Sequence, residues 1–522
     1  MPRGLFPALI VAACAAAVVP AVPAVAADPV TITITRDGVT LQFQHSTTAA
    51  ITSWPLPVQA TPDRSSARFD IDGDGVDELI VGVPFSTATG VNQSALLVRY
   101  ANGTTERLLN QASSYLASAL SVADFNGDGV NDLAVSDGAA LWVLNGSVDG
   151  LQPDSAIRLT AASPGMPAGG GNLGGAEAPG DLNGDGFADL VIGQPTQLVS
   201  GAPNAGAVTV LYGSATGLSG IGSSQINQNS DGVPGSPQSS DAFGYSVAVG
   251  DVTGDAHLDV VVGAQTDVDG DMGSVTVLPG TTTGPTGTGA TMVVGSQLSD
   301  LSVQARELGH RVAVADMTGD GRADVVAGAP FSTVGGRQLS GVVVVLAGAP
   351  GGISALHSTV WDRDSPDVAG TAYKYEDFGG TLTLGDVTGD GRPDLVSGSN
   401  WAPLDTRVDA GVATIIPNST TGLTGAGSGQ LSQNTGRNFA SGMQALEVSG
   451  GGARELLVAG GQSLTLWQGV PTGPQTVTTL TPGSTFGASD LNITYLGGVT
   501  KFPKACRLPC RPAARRCRHR RH

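Results

Sequence analysis

The chain has 522 residues; 40% are hydrophobic, 5% aromatic and 14% charged, and 76 glycines and 31 prolines punctuate it. This profile suits many short strands and turns and excludes a long-helix architecture, since Glu, Lys, Leu and Ala nowhere recur at helical period. The formal charge is −19, and residues 27–500 hold 16 basic against 45 acidic groups, a balance of −29 that excludes nucleic acid and anionic membrane as partners of the body.

Residues 1–27 begin "MPRGLFPALIVAACAAAVVP", with Arg3 before a long apolar run and a small-residue exit at Ala24-Val25-Ala26, the pattern of a secretory signal. A retained membrane anchor and a lipoprotein box at "VAAC", ending in Cys14, are the alternatives. Cleavage would leave a secreted, extracellular chain without a transmembrane span. Residues 27–500 contain no cysteine, so an exported fold here is held by something other than disulfides.

Within residues 28–60, "VTITITRDGVTLQFQH" alternates polar and apolar residues around Asp37-Gly38, a hairpin signal. These strands are expected either to complete the last unit of the repeat described next or to stand as an independent surface hairpin.

From residue 61 to about 490 one sentence repeats. "DIDGDGVDELIVGVP" starts at Asp70, "DFNGDGVNDLAV" at Asp124, "DLNGDGFADLVIGQP" at Asp181, "DVTGDAHLDVVVGAQ" at Asp251, "DMTGDGRADVVAGAP" at Asp316 and "DVTGDGRPDLVSGSN" at Asp386. A seventh copy, "EVSGGGARELLVAGG" from Glu447, keeps the spacing and loses most carboxylates. A period of roughly 54 to 70 residues signals a solenoid, propeller or array.

Each of the six loops places oxygens at its first, third, fifth and ninth positions and a backbone carbonyl at its seventh, with Gly at the sixth in all but the fourth. Hard cations that take six to eight oxygens at flexible geometry are served this way, so the expected cofactor is Ca²⁺ at about six sites. The predicted ligands are Asp70, Asp72, Asp74, Val76 and Glu78 in loop one; Asp124, Asn126, Asp128, Val130 and Asp132 in loop two; and Asp181, Asn183, Asp185, Phe187 and Asp189 in loop three. They continue as Asp251, Thr253, Asp255, His257 and Asp259 in loop four; Asp316, Thr318, Asp320, Arg322 and Asp324 in loop five; and Asp386, Thr388, Asp390, Arg392 and Asp394 in loop six. Position twelve, Val81, Val135 or Ile192 in the first three loops, is not the Glu of an EF-hand, and the flanks read as strands, so each loop joins a hairpin. Loop four carries Ala256 where the others have Gly; left-handed backbone there costs a residue with a Cβ about 1 to 2 kcal/mol, which ranks this site weakest. Loop seven, with only Glu447 and Glu455, is expected to be metal-free.

After each loop a third strand follows, as in "GAVTVLYGSATGL" and "GVVVVLAGAPGGI", and a less regular fourth strand often leads to an aromatic-glycine pair such as Phe243-Gly244 or Phe378-Gly379. Four antiparallel strands in seven units predict an all-β fold, a seven-bladed β-propeller of four-stranded antiparallel blades.

"FGYS...DVTGDAHLDVVVGAQ" and "LGH...DMTGDGRADVVAGAP" resemble the FG-GAP repeats of integrin alpha-chain N-terminal propellers and of many secreted bacterial proteins. The resemblance covers residues 61–490, although the first three units lack a clear Phe-Gly. It implies calcium loops on one face of a seven-bladed disc and ligands meeting the other face or the blade edges. The expected function is a secreted, monomeric, calcium-binding module of binding or adhesion, with an extracellular protein or glycan as partner. The alternatives are a glycan-binding lectin like the fungal seven-bladed propellers, or a hydrolase-type propeller related to the phospholipase D proteins that cleave lipid anchors. No catalytic constellation is evident: His45, His257, His310 and His357 occupy unrelated positions, and no G-x-S-x-G or H-E-x-x-H occurs.

Two stretches depart from the repeat. "WDRDSPDVAGTAYKYEDFG" gathers Trp361, Tyr373 and Tyr375, the tyrosines replacing Gln238 and Ser240 of the connector that aligns with it. Residues 491–522 end in the basic, Cys-containing "KFPKACRLPCRPAARRCRHRRH", read as a disordered segment and an out-of-frame end, with a basic arm as the alternative.

Overall fold

The computed structural model describes most of residues 69–467, together with the strands Val30–Thr33 and Gln42–His45. The signal segment, most of loop seven and the C-terminal tail lie outside the described residues. The two N-terminal strands pair antiparallel, as the hairpin signal predicts.

The architecture is all-β, and the repeat is its unit. Unit two is the sheet Leu120–Ala123, Asp132–Ser136, Ala140–Asn145 and Gln152–Thr160, each strand beside its sequence neighbour. Unit three is Ala176–Gly180, Asp189–Gln194, Ala207–Leu211 and Ser224–Ile226, and unit four is Ser246–Gly250, Asp259–Ala264, Ser274–Leu278 and Thr291–Val294. Unit five is Arg311–Ala315, Asp324–Ala329, Val342–Leu346 and Ser358–Trp361, and unit six is Thr381–Gly385, Asp394–Ser399, Val412–Ile416 and Gly429–Leu431. Unit one (Leu79–Ser86, Asn92–Arg99, Thr105–Gln111) and unit seven (Phe439–Leu446, Glu455–Gly460, Ser463–Trp467) show three strands among the described residues. All pairings within units are antiparallel. The first strands of units two to seven stand side by side, so the sheets pack face to face as propeller blades.

Second and third strands are apolar on both sides because both sides are covered. In units three to six they are buried throughout, and such strands read as continuous Val, Leu and Ile runs rather than as alternation. The seam between units four and five, for example, packs Val261, Val277, Leu308, Val325 and Val344.

The two halves of the repeat motif meet across these seams. A Cβ on Gly193, Gly263 or Gly328, the glycine closing each second strand, would lie 2.1 Å from the carbonyl oxygen of Gly244, Gly309 or Gly379 in the next unit. Backbone approaches backbone there, and only glycine leaves room. The preceding residue is a core plug: Phe243 and Phe378 are fully buried, and Leu308 fills the same place at unit five.

One core position breaks the pattern. The partner of the twelfth motif residue on the first strand is Leu120, Val247, Val312, Leu382 or Met443 in units two, four, five, six and seven, but Glu177 in unit three. Glu177 is 7% exposed, and neither carboxyl oxygen has a hydrogen-bond partner among the described residues. Burial pushes it up to about 8, only slightly opposed by Ser121 on the first strand of unit two.

Candidate metal centre and the loop face

Each acidic loop is wound around its first residue. Asp124 takes the amides of Gly127 (2.6 Å) and Asp128 (3.1 Å) on Oδ1 and that of Gly129 (2.8 Å) on Oδ2. Asp181, Asp251, Asp316 and Asp386 repeat all three bonds, and Asp70 repeats the outer two. The fifth carboxylate then accepts from the seventh amide, as Asp128 does from Val130 at 2.9 Å. These bonds require left-handed backbone at the sixth position, where Gly129 has φ 88°, and also at the fourth, where Gly127 has φ 74°. The second requirement was not read from the sequence, although every loop has Gly there.

Ala256 adopts the left-handed conformation expected of it, at φ 71°. Ala256→Gly is therefore expected to stabilise the fold by about 1 kcal/mol in chemical denaturation; an unchanged midpoint would show that the loop absorbs the strain.

The ninth residue has a role the sequence did not reveal. Asp132, Asp189, Asp259, Asp324 and Asp394 are completely buried. In each, Oδ2 accepts the amide of the second loop residue, as Asp189 does from Leu182 at 2.9 Å. Oδ1 accepts an amide just beyond the third strand: from Gly146, Gly213, Gly280, Gly348 and Asn418, at 2.8 to 3.0 Å. The closing aspartate thus fastens the loop to the third strand of its own blade. Burial pushes Asp132, Asp189 and Asp394 up to about 6 even against these amide donors.

The third and seventh positions divide the loops. Asn126 and Asn183 accept the fifth amide on Oδ1, whereas the Thr253 hydroxyl turns toward Asp259 at 3.5 Å. Phe187 lies over Gly127 and Arg322 over Gly254, each covering the loop of the preceding unit. Arg322 and Arg392 also reach the fifth aspartate of their own loops, Asp320 at 3.3 Å and Asp390 at 3.6 Å, which adds a competing cation in loops five and six.

Loop one concentrates negative charge. Asp70, Asp72 and Glu78 present oxygens within 4.8 Å of one another, a grouping found only here among the described residues. Glu78 is 1% exposed; Oε2 accepts from Ile71 at 2.8 Å, while Oε1 is buried with no partner among the described residues. Burial, then Asp72, push Glu78 up to about 10, and burial, then Asp74, push Asp72 up to about 6. A buried carboxylate oxygen without a donor, facing two more carboxylates, fits a divalent cation held by oxygen ligands.

The loops share one face and are tied together. The amide of Ala188 donates to the Asp124 carbonyl (3.0 Å), Ala323 to Asp251 (2.9 Å) and Arg454 to Asp386 (2.7 Å), each from the eighth motif position of one unit to the first of the unit before it. Asn131 reaches Asp70 O through its side chain at 2.7 Å. The same eighth position brings first and last units together: Arg454 Nη1 of unit seven lies 3.9 Å from Asp77 Oδ2 of unit one, with Asp77 fully buried.

On the connector between units five and six, Tyr373 and Tyr375 are about half exposed, with Arg363 6.0 Å from the first ring and Lys374 5.7 Å from the second. Trp361 instead packs against the core at the end of its strand. Beneath the tyrosines, Arg363 and Glu376 form a buried ion pair where the aligned connector has Gln228 and Asp241.

The FG-GAP repeat family matches residues 64–98, 173–211, 243–278 and 308–346. Integrin alpha pat-2 of Caenorhabditis briggsae is 30% identical over 226 residues, 38% of this chain and 17% of that protein. Mouse phosphatidylinositol-glycan-specific phospholipase D is 32% identical over 173 residues, 33% of this chain and 20% of that protein. The matched stretches therefore span at most about a fifth of these relatives. An Agrocybe aegerita lectin that recognises non-reducing terminal N-acetylglucosamine is similar in structure at a TM-score of 0.48 and 17% identity, over 78% of this chain and 90% of that one. The close approach of Gly193, Gly263 and Gly328 to the plug-and-glycine pair of the next unit is the structural form of the repeat that the family match identifies, and the chain is an FG-GAP repeat protein.

Proposed function

We propose that the chain is a secreted, monomeric, calcium-binding propeller that serves as an extracellular binding or adhesion module for a protein or glycan. The observation that carries the metal is loop one, where Glu78 Oε1 is buried without a donor beside Asp70 and Asp72. Calcium bound there would supply the positive charge that the three carboxylates lack; Asp74 and the Val76 carbonyl complete the proposed set, and loops two to six repeat it with fewer charges. Residues 1–27 act as the export signal and 28–60 complete blade seven. No helix among the described residues is long and apolar enough to cross a membrane. The similarity to integrin alpha chains supports a binding role.

Ions bound only to the native state stabilise it by mass action, at the 10⁻⁴ to 10⁻³ M affinities of about that order seen in extracellular modules. Chelation is expected to lower the melting temperature, and calorimetric titration to restore it with about six ions. Loop one should fill first, given its charge, and loop four last. Asp128→Ala should remove one ion, and Glu455→Ala none. An unaltered melting temperature with no calcium uptake would reduce the loops to polar turns.

A further inference from the structure

Three aromatic side chains are exposed among the described residues: Tyr373 at 45%, Tyr375 at 46% and Trp401 at 53%. The tyrosines lie on the connector from unit five to unit six, and Trp401 is the sixteenth motif residue of unit six, two places beyond its second strand. The repeat brings the three together at the blade ends away from the acidic loops. One connector of the same length earlier, Gln238 and Ser240 stand in place of the tyrosines and Thr266 in place of the tryptophan. There the Thr266 hydroxyl donates to the Ser240 carbonyl. The turns match as well, the amide of Asp267 donating to Ala264 O at 3.2 Å and that of Ala402 to Ser399 O at 3.1 Å. Trp401 therefore leaves its turn beside the backbone of Tyr375.

Nothing in the fold calls for rings at these places. The amides of Ser240 and Tyr375 donate at 2.9 Å to Pro203 O and Gln338 O, and those of the plugs Phe243 and Phe378 donate at 2.9 and 3.0 Å to Ala205 O and Ser340 O. Ser240 and Tyr375 share left-handed backbone, φ 75° and 63°. That conformation is uncommon for a bulky side chain, and serine meets it without a ring to place. The support beneath is rigid, since Arg363 under Tyr373 is 3% exposed and held by Glu376. Between the tyrosines stands Lys374, the single lysine of residues 27–500, which meets no carboxylate among the described residues.

We propose that Tyr373, Lys374, Tyr375 and Trp401 form an open platform that binds an uncharged polysaccharide chain; the proposal rests on the reading of the chain as an extracellular binding module. The C–H faces of pyranose rings pack on exposed aromatic rings, and the Lys374 ammonium donates to sugar oxygens. A polymer meets such a surface ring by ring and needs no enclosing cavity. The balance of −29 over residues 27–500 opposes a polyanionic chain. A protein partner needs about 800 Å² of surface with an apolar centre. Around these rings the exposed residues are Gly335, Gly336, Gln338 and Thr371, and Arg337 pairs with Asp364, so no apolar surface extends the patch.

The calcium-loaded full chain is tested by depletion on insoluble cellulose and chitin, and by retardation in native gels containing β-glucan, xylan or mannan. Binding to at least one of the five polymers is expected. Tyr373→Gln, Tyr375→Ser and Trp401→Thr install the residues that the earlier connector and turn already carry. Each should leave the melting temperature unchanged and weaken binding about tenfold, the loss of one stacked ring. Lys374→Ser should weaken it about threefold, the loss of one donor. The triple ring variant should not bind. Binding that survives the triple variant, a preference for polygalacturonate over the neutral polymers, or no binding to any of them overturns the platform. Capture by immobilised extracellular proteins that the triple variant loses would assign the patch to a protein instead, and so overturn the saccharide while leaving the module reading intact. Calcium uptake on the same samples tests that reading separately.

Discussion

Arg454→Met is expected to destabilise the folded chain by about 3 kcal/mol in denaturant unfolding, a larger loss than any surface charge removal would give. Asp77 is fully buried and accepts the Phe69 amide at 2.7 Å, so its carboxylate cannot turn to water when the guanidinium is gone. Removing one member of a buried ion pair takes a compensating charge from the other, and that penalty outweighs the lost contact itself. The double variant Asp77→Asn, Arg454→Met should recover most of the loss, because the buried carboxylate is removed together with the guanidinium that faces it. A double-mutant cycle measures the coupling; additive effects would show that the two side chains do not hold units one and seven together.

Glu177→Leu is expected to stabilise the protein most at alkaline pH. The folded carboxyl is raised to about 8 from an ordinary 4.5, so native and unfolded chains are both protonated below pH 4.5 and differ above it. The unfolded chain then releases a proton that the native one keeps. Stability is thus full below pH 4.5 and falls as pH rises, until the carboxyl ionises near pH 8 and the penalty levels off. At about 1.4 kcal/mol per pH unit the span is on the order of 5 kcal/mol. The leucine found at the same register in units two and six should abolish that slope. Paired denaturation curves at pH 5 and pH 9, both in saturating calcium, provide the check; a gain equal at the two pH values would mean that packing, not ionisation, sets the difference.

Much of this fold was legible because the motif carries its own geometry. Alternating oxygens and glycines from Asp124 to Asp132 announce a hairpin loop, and apolar runs such as "DVVAGA" announce strands covered on both sides. The outermost strands were harder to place: Gln152–Thr160 exposes its first four residues, and exposed edges carry little hydrophobic pattern. Ala256 could be assigned its backbone from the register of its neighbours. Glu177 could not be placed, since its register becomes visible only once the first strands are paired. The meeting of the Tyr245 and His310 rings depends on two units packing around an axis, a contact between residues 65 positions apart that spacing alone does not encode. The Asp77 and Arg454 pair belongs to the same class. Ligand spacing, for its part, suggested one role for the closing aspartate where the structure adds a second.

A ninth residue that joins its loop to the third strand is held in place by folding whether or not the loop carries an ion. An aspartate that only held an ion could be exchanged once the ion was dispensable, but one that also fastens two strands remains under constraint from folding itself. The seventh copy fits this constraint: Ser449 and Gly451 stand at its third and fifth positions, while the ninth still holds an acid, Glu455, 2% exposed.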